Sequence, residues 1–319
     1  MAPTKRIAVG QWHIKDLEVE YNHKRACQYI REAASQGAEL VVLPEYHLNG
    51  FTPTSPLYAT QASTTQPYLS TYQSLARELQ ICLVPGTIVE KHGDRLYNTA
   101  YFISTDGSIL GSYRKKNIWH PERPHLTSSG VDERHEVLDT PIGKVGLLIC
   151  WDLAFPEAFR ELVIRGAEVV VVPTYCEFLF FVPLSSEFAL VIEFITRHKK
   201  DEELLTSRKG TKHDASPALL AANPNCETLL LESLLTARCF ENTCAVVFAN
   251  AASSDEDSEA KFLGLSGVHV PALGAVGKMG SEEGVRTVDV DMGLVRLAEE
   301  NYKVREDLGR EGWHYGYQL

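Results

Sequence analysis

The sequence predicts an α/β fold with mixed sheets. Uninterrupted apolar runs such as ELVVL (39–43) and EVVVV (168–172) are typical of strands in sheets that helices cover on at least one face. Segments with apolar residues at helical spacing alternate with these runs. Hairpin-like pairs of strands within 81–113 and 244–291 add antiparallel neighbours, so the order is not a pure β-α-β repeat.

The first 113 residues contain one predicted helix and several predicted strands. The helix, at 21–36, has Cys27, Ile30 and Ala34 at helical spacing and is followed by Gly37, a common helix stop. The strands are short apolar runs bounded by turn residues. They lie at 6–12, 39–43, 81–89, 97–103 and 109–113.

The second half of the chain repeats this alternation. A helix is predicted at 156–165, where Phe159, Leu162 and Gly166 share one face, and another at 227–239. The predicted strands of this half lie at 144–150, 168–172, 244–249, 263–270 and 285–291.

Composition and charge restrict the class of protein. The content of 44% hydrophobic and 23% charged residues is typical of a soluble globular protein. The formal net charge of −11 disfavours binding to nucleic acid or to an anionic membrane surface. No internal repeat is visible, and no strong linker precedes residue 176. We therefore expect a single domain over residues 1–319.

The cysteines and histidines do not form a metal-binding pattern. The seven cysteines include no CxxC pair and have no zinc-type spacing with the eleven histidines, among which there is no HExxH pair. The sequence therefore predicts no metal and no cofactor. The N-terminal segment lacks the long apolar core of a signal peptide, and unpaired thiols are typical of a reducing compartment. We expect a cytoplasmic protein.

Cys150 is the first candidate for chemistry. It ends the apolar run KVGLLIC, and Asp152 and Pro156 follow as helix-start residues. A side chain at this position lies at the carboxyl edge of a sheet, where open α/β folds bind ligands. The positive end of the following helix can also lower the pKa of the thiol and favour the thiolate. A buried core cysteine is the alternative interpretation.

Glu45 and Lys115 also follow predicted strands. Glu45 comes directly after the strand that Pro44 closes, where an apolar wall would raise the pKa of its carboxyl group and allow proton transfer near neutrality. A lysine ammonium beside a reacting carbonyl can stabilise the oxyanion that forms on attack. The alternatives are a surface carboxylate and a basic loop, and the chemistry does not distinguish Lys115 from Lys116.

These residues lie in motifs that resemble one family. The segments LPEY (43–46), YRKKNIWHPER (113–123), GLLICWDLAFPEAFRELVIRGAEVVVVP (146–173) and TARCFENTCAVVFAN (236–250) occur in the order found in the carbon–nitrogen hydrolase, or nitrilase, superfamily. The resemblance covers the chain except for 177–213. It implies a four-layer α-β-β-α sandwich that forms a homodimer or a higher homo-oligomer.

The resemblance also implies a catalytic set. Glu45, Lys115 and Cys150 match the family's Glu-Lys-Cys triad, with Lys115 chosen because the family lysine follows the Tyr-Arg pair directly. Glu122 matches a second glutamate that the family often keeps near the lysine, and it would support Lys115 or the substrate. The implied activity is hydrolysis of a non-peptide carbon–nitrogen bond.

The expected mechanism is nucleophilic catalysis through a thioester. Glu45 would take the proton of Cys150, and Lys115 with the backbone N–H of Trp151 would stabilise the oxyanion. The candidates for the walls of the substrate pocket are aromatic, namely Tyr46, Trp119 and Tyr175. Arg238, in the segment RCFEN, is expected to support the structure at a helix end.

The substrate is expected to be a small amide or a nitrile. By the family resemblance, the Trp-Asp pair after the cysteine favours an amidase that releases ammonia over a nitrilase that forms a carboxylic acid. Three alternatives remain: acyl transfer to an amine in place of water, a papain-like Cys-His pair with His120 or His125 as base, and a catalytically silent binding module.

One segment departs from the family pattern. About 35 residues separate VVPTY from the predicted helix region, and the resulting atypical insertion lies at about 176–213. Its apolar part, 177–196, is nearly long enough to span a membrane, but it contains three glutamates and a proline, so we expect no membrane insertion. Removing about 176–210 restores a family-like continuation. We therefore expect either a surface insertion or translated intervening sequence, which sequencing of the mature transcript distinguishes.

Overall fold

The structure is a computed structural model that describes residues 4–130, 132–176, 217–254 and 262–313. The chain divides into two compact units, one made of residues 1–177 and 234–319 and the other of residues 178–233. The predicted insertion at about 176–213 lies, except for Cys176, outside the described residues. The extent of the domain therefore stays a prediction.

Within the described part of the first unit, the strands form two mixed sheets. The first sheet contains β1 (Thr4–Gln11), β2 (Leu40–Val42), β3 (Cys82–Val84), β4 (Thr87–His92), β5 (Arg95–Ile103), β6 (Ile109–Arg114) and β13 (Gly284–Asp291). The second sheet contains β7 (Val137–Thr140), β8 (Gly143–Leu147), β9 (Val169–Pro173), β10 (Ala245–Ala249), β11 (Gly267–Val270) and β12 (Gly274–Val276).

Each sheet has parallel strands in its centre and antiparallel strands at its edges. The first has the order β13-β1-β2-β3-β5-β4, with β6 paired to β5, and β1, β2 and β3 are parallel. The second has the order β12-β11-β10-β9-β8-β7, with β8, β9 and β10 parallel. The prediction of mixed sheets is confirmed.

The helices are α1 (Val19–Ser35), α2 (Pro56–Gln61), α3 (Gln66–Leu79), α4 (Pro156–Ile164), α5 (Pro217–Ala222), α6 (Cys226–Glu241), α7 (Met292–Tyr302) and α8 (Val304–Leu308). A short 3-10 helix, Cys150–Ala154, precedes α4. None of the helices in the described ranges is both long and apolar enough to cross a membrane.

The central strands are buried on both faces, so other elements must cover each face of the sheet. In β1 and β2, Ile7 and Val42 are as fully buried as Ala8 and Val41, although neighbours along a strand point to opposite faces. The helices α1 and α3 cover one face of this sheet, and β10 of the second sheet contacts β1 and β2.

The fourth layer includes α4. A Cβ at Gly146 of β8 would lie 2.7 Å from Leu162 Cδ1, so the missing side chain allows α4 to pack closely on the second sheet. The predicted four-layer α-β-β-α arrangement is therefore confirmed.

Two predicted elements were wrong in detail. The run 81–89 was predicted as one strand, but Pro85 and Gly86 divide it into β3 and β4, which pair with β5 separately. The strand predicted to end at Cys150 instead ends at Leu147, and Cys150 begins the 3-10 helix. Five of the helices in the described residues were not predicted, namely α2, α3, α5, α7 and α8.

Candidate active site

Glu45 lies in a tight turn after β2. Tyr46, the next residue, has a φ of 53°, a left-handed conformation that a bulky residue adopts only when its surroundings hold it there. Thr87 stabilises this turn through two contacts. Its Oγ1 accepts the N–H of Tyr46 at 3.0 Å, and its carbonyl oxygen lies 3.1 Å from His47 Nδ1. The N–H of Glu45 donates to Thr174 O at 3.2 Å, which ties the turn to the end of β9.

Lys115 follows β6 and is buried together with Glu45. Its residue exposure is 1%, and its Nζ lies 2.8 Å from Glu45 Oε1 and 2.6 Å from Glu122 Oε1. Lys116 is half-buried and donates to Glu133 O at 2.6 Å. The structure thus brings Lys115, and not its neighbour, to the two glutamates.

Glu122 is fixed on both of its carboxylate oxygens. The hydroxyl of Tyr46 donates to Oε1 at 2.5 Å, and the backbone N–H of Trp119 donates to Oε2 at 2.8 Å. Because Lys115 also donates to Oε1, Glu122 joins the lysine to the aromatic part of the site. These contacts account for the burial of a second carboxylate beside Glu45.

Asn98 is a site residue that the sequence analysis missed. Its Nδ2 donates to Glu45 Oε1 at 2.7 Å, so that oxygen receives hydrogen bonds from both Asn98 and Lys115. The other oxygen, Glu45 Oε2, is buried without a hydrogen-bond partner of normal geometry among the described residues. The signal was available, because Asn98 and Thr99 are consecutive polar residues inside a predicted strand.

Cys150 lies beside these groups at the start of the 3-10 helix. Its φ is +46°, so the chain turns sharply at the end of the run that begins with β8. The residue keeps some surface exposure, and its thiol acts as a hydrogen-bonding group that lowers the pKa of Glu45. The three residues proposed from sequence therefore lie together, with Cys150 coming from the second sheet and the other two from the first.

The surroundings shift the pKa of all three groups. Burial raises the pKa of Glu45 to about 7, against the lowering effect of the Lys115 charge. Burial alone would lower the pKa of Lys115, but the charges of Glu122 and Glu45 outweigh it and raise that pKa well above its usual value. Glu45 is thus poised to exchange protons near neutral pH, while Lys115 stays charged.

The expected lowering of the thiol pKa was wrong. Burial, followed by the charge of Glu45, raises the pKa of Cys150 well above that of a free thiol. The positive charge of Lys115 acts in the opposite direction and does not compensate for these two effects. The resting thiol is therefore protonated, and a nucleophilic role would require a base.

The predicted aromatic residues lie on two sides of this cluster. Tyr46 packs edge-on against Tyr175 with ring centroids 5.6 Å apart, and the Lys115 ammonium lies 6.0 Å from the centre of the Tyr46 ring. Trp119 lies 6.5 Å from Trp151, measured between ring centroids. Trp151 is in the first turn of the 3-10 helix, where backbone N–H groups have no partner within the helix.

Arg238 supports the same 3-10 helix from α6. Its guanidinium donates to Leu153 O at 3.0 Å and Ala154 O at 3.1 Å, and its Nη1 lies 2.7 Å from Glu241 Oε1. These contacts agree with the supporting role expected of this residue. Of the two histidines considered as alternative bases, His120 is exposed and packs 6.2 Å from the Trp151 ring, and His125 is half-buried.

Within the described ranges, no group of three histidine, cysteine, aspartate or glutamate residues could hold a metal ion. None of the seven cysteines, all of which lie in the described ranges, forms a disulfide bond.

Comparison with known proteins assigns the family. The family model for carbon-nitrogen hydrolases matches residues 6–189, which is more than half of the chain. The chain belongs to the carbon–nitrogen hydrolase family. The matched range includes Glu45, Lys115, Glu122 and Cys150.

Relatives of this carbon–nitrogen hydrolase include amidases and nitrilases. A Pyrococcus abyssi protein named nitrilase is 34% identical over 171 residues, covering 53% of this chain and 64% of the relative. The human omega-amidase NIT2 is 33% identical over 176 residues, covering 53% of this chain and 62% of the relative. The chain thus spans less than two thirds of the length of these relatives.

A solved structure shows the same fold over nearly the whole chain. The carbon-nitrogen hydrolase from Helicobacter pylori G27 superposes with a TM-score of 0.77 at 20% identity, covering 98% of this chain and 97% of that one. At this identity the comparison concerns the fold alone.

Proposed function

We propose that this carbon–nitrogen hydrolase is an amidase that hydrolyses a small amide through a thioester on Cys150 and releases ammonia. The observation that carries the proposal is the position of the Lys115 ammonium, 2.8 Å from Glu45 Oε1 and 2.6 Å from Glu122 Oε1, beside the Cys150 thiol. A base, a cation and a nucleophile in one buried cluster are the groups that acyl transfer requires.

Acylation begins with proton transfer from the thiol. Glu45 Oε2, which has no other partner of normal geometry in the described structure, takes the proton as sulfur attacks the amide carbon. Lys115 has three hydrogens and donates two of them to Glu45 and Glu122, so the third can reach the developing oxyanion. The N–H of Trp151 provides the second donor.

The tetrahedral intermediate then loses its nitrogen. Protonated Glu45 donates to the leaving nitrogen, the C–N bond breaks, and ammonia departs from a Cys150 thioester. A water molecule then attacks the thioester and gives a proton to Glu45. The C–S bond breaks, the thiolate recovers the proton, and the carboxylic acid leaves.

Amides are preferred over nitriles as substrates for two reasons. Relatives that include the human omega-amidase are named for amide hydrolysis, and Trp-Asp follows the cysteine in this chain. The relative from Pyrococcus abyssi carries the name nitrilase, so nitrile hydrolysis to a carboxylic acid is the second candidate.

The test is a substrate panel. Aliphatic amides, N-carbamoyl compounds and nitriles are each incubated with the protein, and released ammonia is measured, with Cys150→Ala as the control. Ammonia from amides that depends on Cys150 supports the proposal, and ammonia from nitriles alone replaces it with the second candidate. Turnover by Cys150→Ala at the wild-type rate rules out both. Product analysis with added amines separates hydrolysis from acyl transfer.

Two further expectations stay predictions. The first is a homodimer or a higher homo-oligomer, which light scattering tests against the chain mass of 35.5 kDa. The second is a cytoplasmic location, which fractionation of the source cells tests.

A further inference from the structure

Asp152 is a fully buried carboxylate that receives four hydrogen bonds. Its Oδ2 accepts from Ile149 N at 2.9 Å and from the hydroxyl of Tyr113 at 2.9 Å. Its Oδ1 accepts from Asn117 N at 3.1 Å and from Asn117 Nδ2 at 2.8 Å. The residue exposure of Asp152 is 0%, so these donors replace the hydration of the carboxylate completely.

The four donors come from two segments of the chain that carry the proposed catalytic groups. Ile149 directly precedes Cys150, and its N–H fixes the point where the chain turns into a positive φ. Tyr113 and Asn117 lie two residues before and two residues after Lys115. The hydroxyl of Tyr113 also accepts the N–H of Lys116 at 3.1 Å, so Asp152 holds the lysine segment from both sides.

We propose that Asp152 is a positioning residue that fixes Cys150 and Lys115 relative to each other by bonding the segment of each. The inference rests on the proposed function, because it assigns Asp152 a part in the same reaction. Asp152 acts through the backbone of Ile149 and of Asn117 and does not itself take part in proton transfer.

A carboxylate suits this position because it only accepts hydrogen bonds. Its two oxygens offer about four lone-pair sites, which match the four donors present. Asparagine has nearly the same shape, but its NH2 group would face a backbone N–H in either orientation, that of Ile149 or that of Asn117. Neither N–H can rotate away, so Asp152→Asn should separate the two segments without changing the size of the side chain.

The test measures the reactivity of Cys150 without a known substrate. The full-length protein is treated with iodoacetamide, a small amide whose carbon alkylates the sulfur as iodide leaves and the thiol proton is released. Mass spectrometry then follows the Cys150 peptide, with the half-buried Cys27 as the internal standard. We expect Asp152→Asn to lower the rate at Cys150 by about 10²-fold relative to Cys27, a size typical of a misplacement of about 1 Å.

Two further variants complete the test, one with a smaller change at the same network and one as a control. Tyr113→Phe removes only one of the four donors and preserves the charge, so we expect a smaller loss of about tenfold. Asp139→Asn is the matched control, because its side chain is 85% exposed, and it should leave the rate unchanged. Once a substrate is established, kcat should fall most in Asp152→Asn, less in Tyr113→Phe and not in Asp139→Asn, while KM stays nearly constant.

The outcomes separate the two proposals. If ammonia release from amides does not depend on Cys150, the proposed function is contradicted. If it does depend on Cys150 but both Asp152→Asn and Tyr113→Phe, shown to be folded by thermal unfolding, label at Cys150 at the wild-type rate, the positioning role is wrong and Asp152 only stabilises the fold. If Asp152→Asn does not fold, the labelling rate of Tyr113→Phe decides alone.

Discussion

At Glu45, the two carboxylate oxygens have different surroundings. Oε1 accepts hydrogen bonds from Asn98 and Lys115, whereas Oε2 has no partner of normal geometry among the described residues. The first oxygen therefore fixes the orientation of the carboxylate, and the second remains able to accept a proton. Because the pKa of the Cys150 thiol is raised, this acceptor is what makes sulfur nucleophilic in the proposed reaction.

Replacing Glu45 by glutamine tests the proposed base. The amide keeps the shape of the side chain but cannot accept the thiol proton, so we expect the rate of amide hydrolysis to fall by about 10²–10⁴-fold. Ammonia release is the measurement, and Glu78→Gln, at a side chain that is 56% exposed, is the control. A papain-like mechanism would instead tolerate Glu45→Gln and lose its activity in His120→Asn or His125→Asn.

The pH dependence of the reaction should report Glu45. Its pKa is raised to about 7 by burial, and the proposed mechanism needs the ionised carboxylate in the free enzyme. We therefore expect kcat/KM to fall about tenfold per pH unit as the pH drops below about 7, and to level off above it. A profile that stays flat down to pH 5 would contradict the assignment of Glu45 as the base.

The sequence predicted which three residues converge but not what holds them. Glu45, Lys115 and Cys150 lie in motifs that the family resemblance made visible. The contact of Asn98 with Glu45, and the contacts of Tyr113 and Asn117 with Asp152, join segments far apart in the chain, which spacing along the sequence does not contain. The thiol pKa was predicted wrongly for a related reason, since burial outweighed the helix end next to Cys150.

Among the elements, the turn between β3 and β4 packs against the residue that precedes the proposed base. Gly86 has a φ of +71°, and a Cβ there would lie 1.8 Å from the carbonyl oxygen of Pro44, the residue before Glu45. Only glycine allows the two turns to approach so closely. The short link between β3 and β4 therefore contributes directly to the position of Glu45.

Gly86→Ala should damage both stability and activity. The backbone clash and the positive φ together should lower the free energy of unfolding by at least about 2 kcal/mol. Denaturant unfolding measures this change. Gly93→Ala is the control, because Gly93 also has a positive φ but no atom within 4 Å of its Cβ position, and its cost should be about 1 kcal/mol. Equal costs for the two variants would show that the approach to Pro44 is unimportant.

Elements were predicted best where apolar periodicity was strong. The helix α1 and the strands β1, β5, β9 and β10 lie within two residues of their predicted bounds. The helices α2 and α3 were missed because 54–74 is rich in serine, threonine and glutamine. These polar residues obscure the apolar periodicity of the buried face formed by Leu69, Tyr72 and Ala76. The run 81–89 shows the opposite error, since its apolar composition continues across the Pro85-Gly86 turn.

At the scale of the molecule, the first and the last strand of the described chain are neighbours in one sheet. All eight residues of β1 pair antiparallel with β13, from Thr4 opposite Asp291 to Gln11 opposite Gly284. This pairing makes β1 an internal strand, and the side chain of Val290 is buried there. Residues near position 290 therefore stabilise the sheet that carries Glu45.

A chain truncated after Glu283 should fail to fold. The truncation removes β13 and leaves β1 as an unpaired edge, so we expect loss of soluble protein and of cooperative unfolding. Asp289→Asn is the control, because its ion pair with Arg6 is exposed to solvent and its loss should hardly change stability. Solubility and thermal unfolding are the measurements, and a soluble, cooperatively unfolding truncation would contradict the prediction.

The division of the site between the sheets has a consequence for biosynthesis. Glu45 and Lys115 leave the ribosome before Cys150, so a nascent chain that ends before residue 150 contains the proposed base and cation but not the proposed nucleophile. The Cys150 thiol can contact Glu45 only after β8 and β9 have assembled with the earlier strands. Thr174, directly after β9, then accepts the backbone N–H of Glu45. Recovery of catalysis during refolding should therefore coincide with the step that brings Cys150 to Glu45, and activity can be used to follow that step.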